Sequence, residues 1–254
     1  MRPDRLTWLG HATVLIDLAG LRLLTDPVFG MRVAHLRRHV AAPAVPTDVD
    51  VVLLSHLHRD HTDGASLRAL GTGTRVVAPA GTAAALRHIG IRPTHQLAAG
   101  AAVALSPEVT VRAVAAHHDG RRHPLGRPIA ALGYLIEGPQ RIYFAGDTDL
   151  FAGMARLADP PLDVALLPIW GWGPKLGAGH LDPEGAARAV ELLAPRIVVP
   201  IHWGTFLPIG TRQRGTLVDP IDEFLDRTRT ADVRVAAMAP GGVLELGNGT
   251  TRRG

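Results

Sequence analysis

Short apolar runs recur along the whole chain, and segments rich in glycine, proline and polar residues separate them. Runs of about four to eight residues with such boundaries are typical of β-strands, and a continuous apolar run indicates a strand buried on both faces. The ranges that predict strands on this basis are 6–9, 13–18, 21–25, 51–54, 75–78, 101–105, 109–115, 131–136, 141–144, 163–167, 197–201, 233–236 and 243–246.

Four other segments predict helices, over residues 65–70, 82–89, 183–193 and 221–229. The third has Asp182 as its N-cap and Pro183 at its first position. Two polar segments, 27–48 and 118–128, predict surface loops, and we expect the basic residues of the first to be solvated. Strands and helices that alternate around a β-rich middle predict an α/β fold of mixed sheets with helices outside, and residues 1–254 as a single domain.

Composition narrows the classes of protein that fit. The 254 residues are 46% hydrophobic and 20% charged, which suits a substantial core and argues against a disordered chain. The absence of cysteine excludes disulfides, thiolate metal ligands and a cysteine nucleophile. The formal charge of +4 comes from scattered arginines without a basic block, so we expect no nucleic-acid partner. We find no secretion signal and no run of the roughly 20 apolar residues that a membrane span needs, and we expect a cytoplasmic protein.

The most informative motif is His56-Leu57-His58-Arg59-Asp60-His61, directly after the apolar run 51–54. Residues two apart in extended backbone project to the same side, so the side chains of His56, His58 and Asp60 can converge. His61 can face a neighbouring point as the chain turns towards the next helix. Because a strand end limits the freedom of such side chains, the motif predicts a metal site.

Three further strand ends carry a histidine or an aspartate. His118 follows the strand 109–115, and its neighbour His117 is a competing candidate that the spacing alone does not exclude. Asp147 follows the strand 141–144, and His202 follows 197–201. Four strand ends that each deliver such a residue, in a chain without cysteine, predict that these side chains meet in one metal centre.

These motifs and several neighbouring segments resemble the metallo-β-lactamase superfamily. The chain is most similar to the branch that contains ascorbate-6-phosphate lactonase and N-acyl-phosphatidylethanolamine-hydrolysing phospholipase D, from about residue 6 to residue 246. The resemblance implies a four-layer αββα sandwich with the site at one edge of the two sheets. The segments that carry it are Trp8-Leu9-Gly10-His11-Ala12-Thr13, Thr25-Asp26-Pro27, the motif 56–61, Ala145-Gly146-Asp147-Thr148, His180-Leu181-Asp182-Pro183-Glu184 and Pro200-Ile201-His202-Trp203-Gly204.

The resemblance also implies how two metal ions are held. It favours His118 over His117 as the ligand before the following loop. A set made of histidine and aspartate suits two divalent ions, with Zn²⁺ expected and Mn²⁺ or iron as alternatives. The implied ligands are His56, His58 and His118 for one ion, Asp60, His61 and His202 for the other, and Asp147 as the bridge.

Residues around the metals have implied roles as well. Asp60 is expected to orient the attacking hydroxide in addition to binding metal. In the resembled branch a histidine at the position of His180 faces the substrate, where it can donate a proton to the leaving group or hold an anionic oxygen, although a histidine that merely belongs to the helix-capping loop is an alternative. Asp26 is expected to orient a metal-bound histidine, and His11 to line the site or to make a structural hydrogen bond. We also expect tryptophans 170, 172 and 203 to form an apolar wall near the entrance. The basic loop 27–48 could, as the alternative to a solvated surface, cover the opening and attract an anionic substrate.

The implied activity is hydrolysis by a hydroxide that bridges two metal ions. The expected substrate is a phosphodiester or a related small-molecule anionic ester. A lactonase that opens a cyclic ester uses the same nucleophile, so the metal motif does not separate the two reactions. A non-catalytic metal-binding scaffold is a third hypothesis, and a homo-oligomer is compatible with the sequence.

Overall fold

The structure is a computed structural model that describes residues 2–122, 126, 128–173, 175–211 and 217–247. No helix in these ranges is long and apolar enough to cross a membrane. The strands in these ranges are β1 (Arg5–Gly10), β2 (Thr13–Leu18), β3 (Leu21–Thr25), β4 (Arg32–Val33), β5 (Leu36–Arg38), β6 (Val51–Leu53), β7 (Arg75–Pro79), β8 (His95–Leu97), β9 (Ala102–Ala104), β10 (Thr110–Asp119), β11 (Ala130–Glu137), β12 (Arg141–Phe144), β13 (Val164–Pro168), β14 (Ile197–Ile201), β15 (Phe206–Pro208), β16 (Arg234–Val235) and β17 (Val243–Glu245). The helices are α1 (Gly64–Ala69), α2 (Ala83–His88), α3 (Pro183–Leu193), α4 (Asp219–Thr228) and a 3₁₀ turn at Met154–Ala158.

Two large sheets and one small sheet organise these strands. The first has the order β17-β1-β2-β3-β6-β7-β8, the second β16-β14-β13-β12-β11-β10-β9, and the small one β15-β5-β4. In each large sheet an antiparallel half continues into a parallel half, at β3–β6 in the first and β12–β13 in the second. Because the carboxyl ends of neighbouring parallel strands lie at the same edge of a sheet, each parallel half can present several side chains at one place.

Apolar side chains fill the space between the layers. Trp8 and Ile16 of the first sheet pack in one cluster with Tyr134 and Phe144 of the second. Helices α1 and α2 cover the outer face of the first sheet, and α3 and α4 cover the outer face of the second. This order of layers confirms the four-layer αββα sandwich.

Helix α3 begins where the sequence predicts. The Asp182 carboxylate accepts a hydrogen bond of 2.7 Å from the Gly185 N–H, and Pro183 occupies the first turn, where it has no N–H to leave unpaired. The capped end therefore has a fixed position, and His180 stands two residues before it.

The prediction of a solvated loop at residues 27–48 was right for the basic residues Arg32, Arg37 and His39, which are exposed, but wrong in placing no strands there. The segment contains β4 and β5, and β5 pairs with β15, which lies far away in the sequence. Val28, Val33, Leu36 and Phe206 form a small apolar cluster of their own. Arg38 is only 1% exposed. Two backbone carbonyls accept hydrogen bonds from its buried guanidinium, which also lies 4.6 Å from the Phe206 ring centroid. Because the segment is rich in basic residues, its sequence did not indicate that some of its positions are buried.

The other differences concern element ends. Strand β10 continues to Asp119, so His117 and His118 lie within it and not in a loop. Of the loop predicted at 118–128, residues 123–125 and 127 lie outside the described ranges. The short strands β8 and β15 and the 3₁₀ turn were not predicted, whereas the ends of the remaining elements differ by at most two residues.

Two buried tyrosines allow a matched test of buried hydrogen bonding. The Tyr134 hydroxyl donates to the Leu54 carbonyl at 2.7 Å, whereas the buried Tyr143 hydroxyl has no partner among the described residues. We expect Tyr134→Phe to lower the free energy of unfolding by about 1 kcal/mol, because it leaves a buried carbonyl without its donor. Tyr143→Phe removes an unpaired polar group, so we expect it to be neutral or stabilising by up to about 1 kcal/mol. Chemical denaturation measures both, and a larger loss for Tyr143→Phe would contradict this account.

Candidate metal centre

The side chains of the predicted centre converge at one edge of the two large sheets. They come from the carboxyl-terminal ends of β6 and β14, from β10, and from the turn after β12. Within each of two groups the potential ligand atoms lie within 4.8 Å of one another. One group is His56, His58 and His118, and the other is His11, Asp60, His61 and His202.

Asp147 faces both groups. Its Oδ2 atom lies 3.1 Å from His61 Nε2, and its Oδ1 atom lies 3.2 Å from His202 Nε2. The same Oδ2 is 3.9 Å from His56 Nε2 and 4.0 Å from His118 Nε2 in the other group. A single carboxylate thus lies between two sets of imidazoles.

Backbone carbonyls determine which ring nitrogen two of the histidines present. His118 Nδ1 donates to the Gly179 carbonyl at 2.8 Å, and His202 Nδ1 donates to the Trp170 carbonyl at 2.8 Å. In a neutral imidazole the other nitrogen, Nε2, then carries a lone pair. Metal-binding histidines are commonly held in this way.

Asp26 and Ser55 do the same for two further rings. The fully buried Asp26 carboxylate accepts hydrogen bonds from His61 Nδ1 at 2.7 Å, from the Ser55 N–H at 2.7 Å and from Ser55 Oγ at 2.5 Å. Ser55 Oγ in turn lies 2.9 Å from His56 Nδ1, from which it can accept. Sequence reasoning did not identify Ser55, although its position directly before His56 was a signal.

The polar atoms left over fit metal ions. His56 Nε2 and Asp147 Oδ1 are buried and have no hydrogen-bond partner among the described residues. His61 Nε2 and His202 Nε2 lie 3.0 Å apart, and His58 Nδ1 and His118 Nε2 lie 3.2 Å apart. Buried lone pairs that face one another without a donor are costly, and a cation satisfies them. The donor set is therefore chemically suited to bind metal.

Electrostatics in the cluster agree with this arrangement. Burial lowers the pKa of His56 and of His202 well below the ordinary value, which keeps both rings in the neutral form that binds metal. Burial opposes ionisation of Asp60 and Asp147, but the charge of nearby histidines outweighs it and holds the pKa of each carboxyl well below its usual range. For His61, burial is outweighed by the two aspartates, which raise its pKa well above the ordinary value, so a metal ion there competes with a proton.

The backbone of the centre is unusual at several points. His11, Asp26 and His202 have φ angles of 53°, 33° and 63°, in the left-handed region that non-glycine residues seldom adopt. Gly146, at φ 61°, precedes the aspartate that faces both groups, and a Cβ there would lie 2.6 Å from the Ser55 Cβ. Position 146 therefore requires glycine, and three residues of the centre have strained backbone.

Two side chains hold the carboxylate of Asp60. His11 Nε2 lies 3.0 Å from Asp60 Oδ2, and the Trp172 indole N–H donates to the same oxygen at 3.0 Å. The sequence suggested Trp172 only as an apolar wall, and it gave no sign of this hydrogen bond. Trp203, expected near the entrance as well, stacks instead on Trp8 in the core, with ring centroids 5.4 Å apart.

The structure separates the neighbouring histidines of β10 because successive side chains of a strand point to opposite faces. His118 reaches the donor cluster, whereas His117 is exposed and its backbone N–H donates to Thr148 Oγ1.

His180 also comes to the cluster, since its Nε2 lies 3.4 Å from Asp147 Oδ2 and its ring contacts that of His118 at 4.6 Å.

A cavity of about 580 Å³ opens onto the centre. One wall is apolar and includes Val33, Leu36 and Trp172. Three arginines line the cavity as well, and sequence reasoning, which looked for basic residues in 27–48, did not single them out. They are Arg59, Arg121 and Arg122. The residues of the centre that reach the cavity are His58, Asp60, Asp147 and His180.

Comparisons with known proteins agree with the site. A family model described as a beta-lactamase superfamily domain matches residues 21–203. The chain is 37% identical to a UPF0173 metal-dependent hydrolase of Caldivirga maquilingensis, over 95% of this chain and 97% of that protein. It is 29% identical to N-acyl-phosphatidylethanolamine-hydrolyzing phospholipase D 1 of Caenorhabditis elegans, over 82% of this chain and 65% of that protein.

Among solved structures, Igni18, a metallo hydrolase of Ignicoccus hospitalis, has the same fold, with a TM-score of 0.74 at 24% identity over 96% of this chain and 99% of that one. The matched family, the relatives along nearly the whole chain, and the buried histidine–aspartate cluster lead to one conclusion. The chain belongs to the metallo-β-lactamase superfamily and is a metal-dependent hydrolase.

Proposed function

We propose that this hydrolase holds two divalent metal ions and cleaves a phosphodiester or a related anionic ester. The observation that carries the proposal is the pair of donor groups joined by Asp147 below a cavity with cationic side chains. Zn²⁺ is the first choice of metal because imidazole and carboxylate ligands suit it, and Mn²⁺ and iron remain alternatives. The proposed ligands are His56, His58 and His118 on one side, Asp60, His61 and His202 on the other, and Asp147 between them.

When bound, the ions supply an activated water and a Lewis acid for the attacked group. The chain's own residues orient the reactants. Asp60 is ionised and held by His11 and Trp172, so it can accept a hydrogen bond from the attacking water and direct its lone pair. Asp26 maintains the ring of His61 through a buried hydrogen bond, which preserves the arrangement during turnover.

We assign the role of general acid to His180. Its Nδ1 donates to the Gly177 carbonyl at 3.1 Å while its Nε2 faces the Asp147 carboxylate, so both nitrogens have acceptors. Burial disfavours the charged ring, but the Asp147 carboxylate outweighs it and raises the pKa of His180 above the ordinary value. A protonated His180 on the cavity wall can give its Nε2 proton to the oxygen of a departing alcohol.

The anionic character of the substrate is supported from two directions. Arginines line the cavity, and cationic clefts concentrate anionic ligands. In addition, the relative from Caenorhabditis elegans hydrolyses N-acyl-phosphatidylethanolamine, whose headgroup is joined through a phosphodiester. We take from this relative the class of bond only, and not the lipid.

Metal content and activity should disappear together in His58→Ala/Asp147→Ala. This double variant removes one ligand of the first group and the proposed bridge, so we expect about two metal ions per chain in the wild type and fewer than one in the variant. Elemental analysis measures the metal. His88→Ala, a histidine of α2 away from the cluster, is the control and should retain the metal. Wild-type protein that binds no metal after reconstitution would overturn the proposal.

The bond cleaved can be identified with a panel of substrates on the metal-loaded protein. We expect kcat/KM for bis(4-nitrophenyl) phosphate to exceed that for simple γ- and δ-lactones by at least about tenfold, which corresponds to about 1.4 kcal/mol of transition-state binding. The reverse order would replace the phosphodiesterase proposal with a lactonase. Firmly bound metal without turnover of either class would favour a non-catalytic metal-binding scaffold.

His180→Gln should lower kcat while leaving the metal in place. Loss of a general acid costs roughly 10²–10⁴-fold in kcat, and the loss should be smaller for substrates with a good leaving group such as 4-nitrophenolate. His88→Gln makes the same change at an exposed histidine of α2, and its kcat should stay within about threefold of the wild type. Equal losses for good and poor leaving groups would contradict an acid role for His180.

A further inference from the structure

The three arginines of the cavity differ in how their charges are compensated. Arg121 forms a close ion pair with Asp119, because its Nε donates to both carboxylate oxygens at 2.9 and 2.8 Å. The pair is nearly neutral as a unit. Arg121 therefore contributes little net charge to the cavity.

Arg122 is held in place by neutral groups. Its Nη1 donates to the Leu57 carbonyl at 3.1 Å and to the Thr62 carbonyl at 2.9 Å, so the guanidinium is anchored to the loop that carries the metal motif. It forms no ion pair among the described residues. The Asp63 carboxylate raises the pKa of Arg122 but already accepts two hydrogen bonds from Ser66 at the start of α1.

Arg59 stands inside the metal motif, between His58 and Asp60, and its side chain is exposed on the cavity wall. It has neither a hydrogen bond nor an ion pair within the described part of the chain. The residues outside that part include no aspartate or glutamate, so they cannot supply a carboxylate side chain. Within the described ranges, the charge of Arg59 is therefore uncompensated.

Arg59 and Arg122 line the same cavity, so both cations face a ligand that enters it. Burial first, and then the charge of Arg59, lower the pKa of Arg122. An anion that reaches both guanidiniums gains charge-assisted hydrogen bonds. The pair lies on the cavity wall and is distinct from the donor atoms of the metal centre.

We propose that Arg59 and Arg122 bind a second anionic group of the substrate, a carboxylate or phosphate that does not itself react. This inference rests on the proposed function, because it assumes that an anionic ester occupies the same cavity. It narrows the substrate class to esters that carry one anionic or electrophilic group at the metal centre and another within reach of the arginine pair. Neutral esters and simple lactones lack the second group and should bind more weakly.

Equilibrium binding tests this without turnover. The probes are 3-phosphonopropionate, which has anionic groups at both ends, and propylphosphonate, which has one, and isothermal titration calorimetry on the metal-loaded protein measures both. We expect the wild type to bind 3-phosphonopropionate about tenfold more tightly. Arg59→Gln should reduce this preference to about twofold or less, and Arg59→Lys should keep part of it.

Asp119→Asn/Arg121→Gln is the matched control, because it removes the compensated ion pair of the same cavity without changing the net charge, and it should keep the preference. Arg59 is exposed, so its loss is not expected to impair folding, and thermal unfolding of each variant checks this. The inference is wrong if the wild type shows no preference, or if the preference survives Arg59→Gln. A preference that depends on Arg59 in a protein that hydrolyses no phosphodiester would uphold the anion site and reject the proposed reaction, so the two failures are distinguishable.

Discussion

The metal centre depends on one buried carboxylate. Asp26 directly follows β3, whose parallel neighbour is β6. Its carboxylate accepts hydrogen bonds from Ser55 and His61, which lie in the segment after β6. Through His61 it orients a ring of one donor group, and through Ser55 it orients the ring of His56 in the other. Two neighbouring parallel strands that end at the same edge make this possible, since one acidic side chain can reach both sets.

A second constraint comes from the small sheet. Trp172 packs against the apolar cluster of that sheet, and its ring meets the edge of His35 at 4.8 Å. Its indole N–H donates a hydrogen bond to Asp60, so the small sheet supports a residue of the centre through Trp172. The same sheet also forms one wall of the cavity. The packing of the small sheet thus determines both the shape of the cavity and the position of the Asp60 carboxylate.

The sequence predicts those features that rest on local patterns. Continuous apolar runs identify the buried strands, and the motif 56–61 identifies the centre because the period of two in extended backbone brings its side chains together. The strands of 27–48 escape prediction because β4 and β5 have only two and three residues, too few for a recognisable pattern. In addition, β5 pairs with β15, which lies far along the chain. The difference between Arg121 and Arg59 has two origins: Asp119 lies only two residues from Arg121, whereas the lack of a partner for Arg59 among the described residues depends on the tertiary structure, which no local pattern contains.

The left-handed backbone at His11, Asp26 and His202 has a consequence for the evolution of this fold. Each position costs about 1 kcal/mol or more for a residue with a Cβ, and glycine would relieve it. Glycine at Asp26 would also leave Ser55 and His61 without their buried acceptor, at a cost of about 1–3 kcal/mol for each unpaired group, and glycine at His11 or His202 would leave a cavity in place of a buried ring. The strain therefore persists because the same side chains complete the packing and hydrogen bonding around it. A gene copy released from selection for hydrolysis would gain no stability by losing these residues, so folding itself should conserve the frame of the centre.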